Sequence, residues 1–318
     1  MANTTPVIGI HHLTALAKDP QRNLDFYTQV LGLRLVKLTV NFDDPGVYHF
    51  YFGDSLGSPG SILTFFPWPT ARQGQAGYGQ VSTIAFAAPR DSLDYWYERL
   101  RHFQYQVERR ETKLDDSFLA FQDPDGLQLE IIGIPPVDQV PKTGYSWEKS
   151  PVPTEHAIQK FHRAVLLETE LEPTVRLLTT LGLQPIGHEG SRFRFQAPGA
   201  GTSGLVDVQV APGAPRGKMG AGAVHHIAWR IPTGEDQLAW REQLLEMGFE
   251  VTEVKDRQYF HSIYFREPGG VLFEIATDLP GFTIDEPVAE LGSQLKLPSW
   301  FEPRREQIAS TLPPITLP

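Results

Sequence analysis

Two pairs of adjacent histidines carry the clearest chemical signal in the chain: His11 and His12 in GIHHLT, and His225 and His226 in GAVHHIAW. Imidazole titrates near neutrality and is the commonest metal ligand, so each pair offers acid–base or metal-binding chemistry. The chain has no cysteine. That excludes disulfides, thiolate zinc sites and cysteine nucleophiles, and leaves any metal to His, Asp or Glu. Both pairs lie in strand-like stretches, where neighbouring side chains point to opposite faces. Only one histidine of each pair can therefore face a given site unless a bulge intervenes. A single strand histidine is usually a hydrogen-bonded core residue; the recurrence argues for more.

The elements that position these pairs repeat. GAVHHIAWRIP (222–232) aligns with GQVSTIAFAAP (79–89), and FREPGGVLFEIAT (265–277) with FQDPDGLQLEIIG (121–133). Matching stretches in the same order and at similar separation indicate duplicated units. Between them lie helix signals at 91–103 and 234–249, with apolar residues at helical spacing. Residues 19–33 repeat the signal, with Asp19 as N-cap, Pro20 at the first helical position and Gly32 as terminator, and 171–183 gives a fourth. Short β-rich runs such as LRLVKLTV, VYHFYFGD and SILTFF follow each helix.

Each unit thus reads strand, helix, three strands, over 7–67, 79–134, 157–211 and 222–278. The proline-bearing stretch 146–156 reads as a linker between an N-terminal domain (1–145) and a C-terminal domain (157–280), each of two units. The tail, 281–318, contains a short proline-bounded helix suited to packing over an opening or an interface.

The composition sets limits. The 318 residues are 41% hydrophobic and 21% charged, a globular balance. With 28 basic against 38 acidic residues the net charge is −10, which disfavours a nucleic-acid partner. The start MANTTPVIGI lacks the basic and apolar regions of a signal peptide, and no stretch is long and apolar enough to span a membrane; a soluble cytoplasmic protein is expected. The glycine-rich segment 211–223 lacks the lysine ending of a phosphate-binding loop and leads into a strand, and no GxSxG nucleophile elbow is present.

The four-unit pattern resembles the vicinal oxygen chelate superfamily, which includes glyoxalase I, bleomycin and fosfomycin resistance proteins and extradiol dioxygenases. The resemblance covers nearly the whole chain and implies an α+β fold of four βαβββ modules paired into two cup-shaped mixed β-sheets. It also implies a metal in a cup, held from the first and last strands of two paired modules. The first-strand positions are then His12, Thr83, Arg163 and His226, and the last-strand positions Thr64, Glu130, Val208 and Glu274. Only modules one and four together supply two imidazoles and a carboxylate: His12, His226 and Glu274. Glu130 reads as scaffold. A 2-His-1-carboxylate face with open positions suits Fe(II), while Mn(II) and Zn(II) also accept such ligands.

Within the superfamily the blocks IHHLT, GLRLVKLTVNFDDPGVYHFYFGDSLGSPGSILTFFPWP, VHHIAWR and DRQYFHSIYFREPGGVLFEIATDLPGF are similar to the ring-cleaving hydroquinone dioxygenases. That likeness implies Fe(II)-dependent cleavage of a 1,4-dihydroxybenzene with O2. It places His11, His225, Arg257 and Tyr264 around the substrate as catalytic groups and Thr14 as a substrate-binding residue. By strand alternation alone, His11 and His225 fit a supporting role equally well. Alternatives are a catechol extradiol dioxygenase, a glyoxalase-type isomerase or lyase, and a non-enzymatic resistance protein. The partners implied are a small aromatic substrate and O2, with room for a homo-oligomer.

Overall fold

A computed structural model describes residues 4–115, 117–135, 147–199 and 204–318; residue 146 of the expected linker lies outside them. Each of the four units folds as strand, helix and three strands. The first comprises β1 (Ile10–Ala17), α1 (Pro20–Asp25) continued by a π-helical turn (Phe26–Val30), β2 (Arg34–Asn41), β3 (Asp44–Gly53) and β4 (Ile62–Pro67). The second has β5 (Gln80–Pro89), α2 (Leu93–His102), β6 (Val107–Glu111), β7 (Ser117–Gln122) and β8 (Gln128–Ile134). The third has β9 (Lys160–Glu168), α3 (Glu172–Thr180), β10 (Gln184–Glu189), β11 (Arg192–Gln196) and β12 (Leu205–Val210). The fourth has β13 (Val224–Ile231), α4 (Gly234–Glu246), β14 (Lys255–Asp256), β15 (His261–Arg266) and β16 (Leu272–Thr277).

Local chemistry accounts for the helix starts. The Asp19 carboxylate accepts from the Arg22 N–H at 2.9 Å ahead of Pro20, and the Thr233 hydroxyl accepts from the Asp236 N–H at 3.1 Å, each satisfying an orphan donor. The helices bury Leu24, Trp96, Leu100, Leu177, Leu178, Trp240 and Leu244 against the sheets. These residues belong to one continuous apolar core.

The pairing of modules differs from the expected N-terminal and C-terminal domains. One sheet has the order β14-β15-β16-β13-β1-β4-β3-β2 and the other β10-β11-β12-β9-β5-β8-β7-β6. Modules one and four therefore share a cup, as do modules two and three, so the expected linker falls between two modules of the same sheet. The seams are antiparallel backbone ladders, β1 with β13 and β5 with β9, which any side chains permit. The chain crosses between sheets twice, at 68–79 and 211–222, and these crossings run side by side: Gly74 N–H donates to Ala221 C=O at 2.9 Å and Tyr78 N–H to Pro215 C=O at 3.0 Å. A Cβ on Gly77 would lie 2.3 Å from the Pro215 carbonyl oxygen, so close backbone approach explains the glycine there.

The tail covers the β2 edge of the first sheet. Lys296 N–H donates to Leu38 C=O at 2.9 Å, and Phe282 packs on Tyr51 and Tyr259. The fully buried Lys37 ammonium lies 2.6 Å from Asp285 and also bonds Glu286. An edge strand is thereby shielded from pairing with another chain.

Where modules three and four meet, Glu168 at the end of β9 lies against Glu267. Burial, and then the neighbouring Glu267 charge, push the Glu168 carboxyl up to about 8. The folded state thus retains a proton that the unfolded chain releases near the ordinary carboxylate value. Stability from this group is full below that value and is lost as pH rises to about 8. Melting temperature is expected to fall between pH 5 and 8, and the fall to shrink in Glu168→Gln; identical slopes in the two proteins would count against this assignment.

Candidate metal centre

His12 on β1, His226 on β13 and Glu274 on β16 converge at the middle of the first sheet, all buried. The two Nε2 atoms are 3.2 Å apart, and Glu274 Oε2 lies 2.9 Å from His226 Nε2 and 3.4 Å from His12 Nε2. Ligands about 2.1 Å from a metal are separated by roughly 3.0 Å at a right angle and roughly 3.4 Å at a tetrahedral angle, so the cluster has the size of a ligand set. Glu274 Oε1 accepts from the Ser262 hydroxyl, whereas Oε2 is buried with no partner in hydrogen-bond alignment. Burial pushes the Glu274 carboxyl up, but His12 and His226 outweigh it and hold it well below the usual carboxylate range. A charged carboxylate with a free oxygen facing two imidazole nitrogens fits a divalent cation.

Two bulges build this arrangement. Ile10 pairs with Trp229 and His12 with Ala228, leaving His11 as the extra residue of β1; Thr14 pairs with His226 and Ala15 with Val224, leaving His225 as the extra residue of β13. Bulges re-aim side chains, and here they bring the members of each pair into contact. His11 Nδ1 is 2.9 Å from His12 Nδ1, and His225 Nδ1 is 2.8 Å from His226 Nδ1. An imidazole that offers its Nε2 lone pair to a metal carries its proton on Nδ1. His11 and His225 then accept that proton's hydrogen bond, as neutral rings protonated on Nε2. Burial, then the adjacent His12, hold His11 well below its ordinary value, and burial, then His226, lower His225 to about 3. His11→Ala or His225→Ala is expected to weaken metal binding about 10- to 100-fold, read by competition with a chelator; undiminished affinity in both would sink the supporting role.

A cavity of about 270 Å³ opens on the cluster. Phe42, Phe66, Trp68 and Phe260 provide apolar walls, and Thr14, His225, Arg257 and Tyr264 also line it. His11 does not line it: the bulge turns it behind His12, with its ring 5.1 Å from that of Phe260, so the expectation that it surrounds the substrate is corrected. Arg257 Nε donates to the Tyr264 hydroxyl at 3.1 Å, and Nη1 to Asp43 at 3.0 Å. Burial opposes the Arg257 charge, but Tyr264 and Asp43 outweigh it and raise its value. Burial, then the Glu274 charge, raise Tyr264, which keeps its proton at neutral pH. On the other flank the Thr64 hydroxyl lies 2.8 Å from that of Thr14 and 2.9 Å from His49 Nε2.

The second sheet repeats the frame without the ligands. Its seam has the same two bulges, with Ser82 and His162 as extra residues. Thr83 pairs with Val165 as His12 pairs with Ala228, and Arg163 with Ala85 as His226 with Thr14. Val165 pairs with Asp207 as Ala228 does with Glu274, so Asp207, rather than Val208, occupies the last-strand position of module three. Arg163 is fully buried among Asp115, Glu130 and Asp207, and Arg194 bonds both Asp115 and Asp207. A guanidinium thus stands in register with His226.

A sequence model of the Glyoxalase/Bleomycin resistance protein/Dioxygenase superfamily matches residues 9–131 and 160–275. The chain belongs to this superfamily. Among curated proteins it is 46% identical over 308 residues to MhqO of Bacillus subtilis (strain 168), named as a candidate ring-cleaving dioxygenase, with 96% of each chain covered. It is 33% identical over 313 residues to the chlorohydroquinone/hydroquinone 1,2-dioxygenase of Sphingobium indicum, again with 96% of each covered. A crystal structure of a candidate dioxygenase from Bacillus subtilis superposes with a TM-score of 0.92 at 44% identity, over 99% of both chains. Glyoxalase I from Zea mays, at 15% identity and a TM-score of 0.62, covering 85% of this chain and 92% of its own, shares the fold alone. These relatives support a ring-cleaving dioxygenase, and this superfamily member is an enzyme of that kind. Among the described residues no helix is long and apolar enough to cross a membrane.

The sequence reading missed His49 and Ser262. Their signal was a short match, HFYFGD in module one against SIYFRE in module four, which aligns Tyr51 with Tyr264 and hence His49 with Ser262. The pairings Tyr51 with Thr64 and Tyr264 with Glu274 agree with that alignment.

Proposed function

We propose that the enzyme opens the ring of hydroquinone-type (1,4-dihydroxy) aromatic compounds with O2, using Fe(II) held by His12, His226 and Glu274. The observation that carries the reading is a buried two-histidine, one-carboxylate cluster facing a small aromatic-walled cavity, a donor set suited to Fe(II) with positions left open. The dioxygenase of Sphingobium indicum, named for hydroquinone and chlorohydroquinone, supports the substrate class. When bound, the iron supplies the one-electron chemistry that lets a phenol react with triplet O2.

The chain's own groups do the rest. Phe42, Phe66, Trp68 and Phe260 hold a flat ring against the cluster and exclude water, which supplies proximity and strengthens electrostatics. The proton on His225 Nε2 and that on the Tyr264 hydroxyl are available at the cavity wall for hydrogen bonding and transfer. Arg257, kept charged by Tyr264 and Asp43, stabilises negative charge that develops on the ring oxygens. Thr14 shares the strand face of His12 and offers a hydroxyl beside it.

The test is oxygen uptake by protein loaded anaerobically with Fe(II), given hydroquinone, catechol and a hemithioacetal in parallel. Uptake with hydroquinone ahead of catechol is expected. No uptake with either phenol, or isomerisation of the hemithioacetal, would overturn the proposal.

A further inference from the structure

The two flanks of the first cup are related position by position, and the relation breaks at one place. Ser262, two residues before Tyr264 on β15, donates to the carboxylate of Glu274. His49, two residues before Tyr51 on β3, stands where Ser262 does, and its Nε2 is 2.9 Å from Thr64 Oγ1. Thr64 pairs with Tyr51 as Glu274 pairs with Tyr264, so it occupies the position of a fourth ligand with a side chain too short to serve as one. Thr64 is buried beneath Thr14 and His49, and these two side chains line the cavity on this side.

His49 is held firmly. Its ring centroid lies 4.0 Å from that of Tyr51 and 4.3 Å from that of Phe66, and Thr64, itself bonded to Thr14, fixes Nε2. Among the described residues Nδ1 has no hydrogen-bond partner. The other polar side chains on the wall are largely engaged: Arg257 with Tyr264 and Asp43, and His225 Nδ1 with His226. Across the sheet β3 lies beyond β4 from β1, one strand farther from the cluster than Thr64.

We infer that His49 is a substrate-contacting residue whose Nδ1 hydrogen-bonds the hydroxyl of the ring that lies away from the metal, and that it selects 1,4-diols. The inference rests on the ring-cleavage reading above. A catechol can place both oxygens on one metal, whereas the oxygens of a 1,4-diol are too far apart to do so. A 1,4-diol therefore presents a free hydroxyl for a protein group to satisfy, and a ring that lies along Thr14, beside the cluster, directs it toward His49 on β3.

The test compares anaerobic binding of hydroquinone and phenol to the Fe(II)-loaded wild type and to His49→Phe, His49→Gln and His49→Asn. Phenol lacks the second hydroxyl. One hydrogen bond in a closed site corresponds to roughly a tenfold preference for hydroquinone, which the wild type should show. Phenylalanine keeps the packing but no polar atom, and glutamine keeps a polar group near Nε2; both should bring the ratio near one. Asparagine keeps a polar group near Nδ1 and should retain most of the preference. A merely structural role through Thr64 gives the reverse order, with glutamine restoring and asparagine failing, and would overturn the inference. So would a wild type without the preference, or a ratio that His49→Phe leaves unchanged. In turnover, His49→Phe should raise KM for hydroquinone about tenfold while leaving kcat within about threefold. Because binding is read under argon, a wild type that prefers hydroquinone but consumes no oxygen would sink the ring-cleavage reading while sustaining the contact at His49.

Discussion

His12→Ala, His226→Ala and Glu274→Ala are each expected to lose bound iron and at least about a hundredfold in oxygen uptake, while Glu130→Ala retains both. The first three donors face one another at 2.9–3.4 Å, so removing any one leaves two donors and a site open to water. The loss should exceed the 10- to 100-fold typical of outer partners such as His225. Glu130 occupies the equivalent of Thr64 in the other sheet and is bonded to Arg163, far from this cluster in the strand order. Metal content after anaerobic loading and gel filtration decides the matter. Iron retained by His12→Ala, or lost from Glu130→Ala, would mean that the wrong cup has been assigned.

Arg163→Met is expected to destabilise the protein by about 3 kcal/mol without changing its metal content. Breaking a buried ion pair by removing one partner costs about 3–5 kcal/mol, because the remaining charge is left uncompensated. The low end applies because Arg194 still pairs with Asp115 and Asp207, leaving Glu130 as the main orphan. The double variant Arg163→Met with Glu130→Gln should therefore recover part of the loss. Denaturant midpoints at constant slope read both effects. A wild-type midpoint in Arg163→Met would show that the guanidinium is dispensable to the second cup.

The repeated strand–helix–three-strand order was legible because each unit carries local grammar: a helix signal after a strand, then turn-bounded β-runs. The cluster was legible because two histidine pairs and one glutamate satisfied a two-module inventory that no other pairing could. Which modules share a sheet was not legible from the linker. A proline-bearing segment between modules two and three suggests a division there, yet β5 and β9 are joined by backbone bonds that leave no residue signature. The ligand inventory, which needs module four beside module one, was the better guide. The bulges at His11 and His225 were invisible for the same reason, since nothing in HH distinguishes an extra residue from a paired one. The last-strand position of module three falls at Asp207 rather than Val208 because that module shares neither of the matched stretches that fix the register of modules two and four.

The seam between β1 and β13 has a consequence for synthesis. His12 emerges from the ribosome early, but its partner His226 follows 214 residues later, and Glu274 later still. The strand bearing His12 can pair with β4 of its own module early, but its pairing with β13 waits until module four exists, a contact of very high sequence separation and correspondingly late closure. A chain that stops before module four thus holds only one of the three donors, His12. The capacity to form this three-donor cluster arrives only with the last module, so under the iron reading proposed above a partial product cannot bring oxygen chemistry to an exposed, half-folded interior.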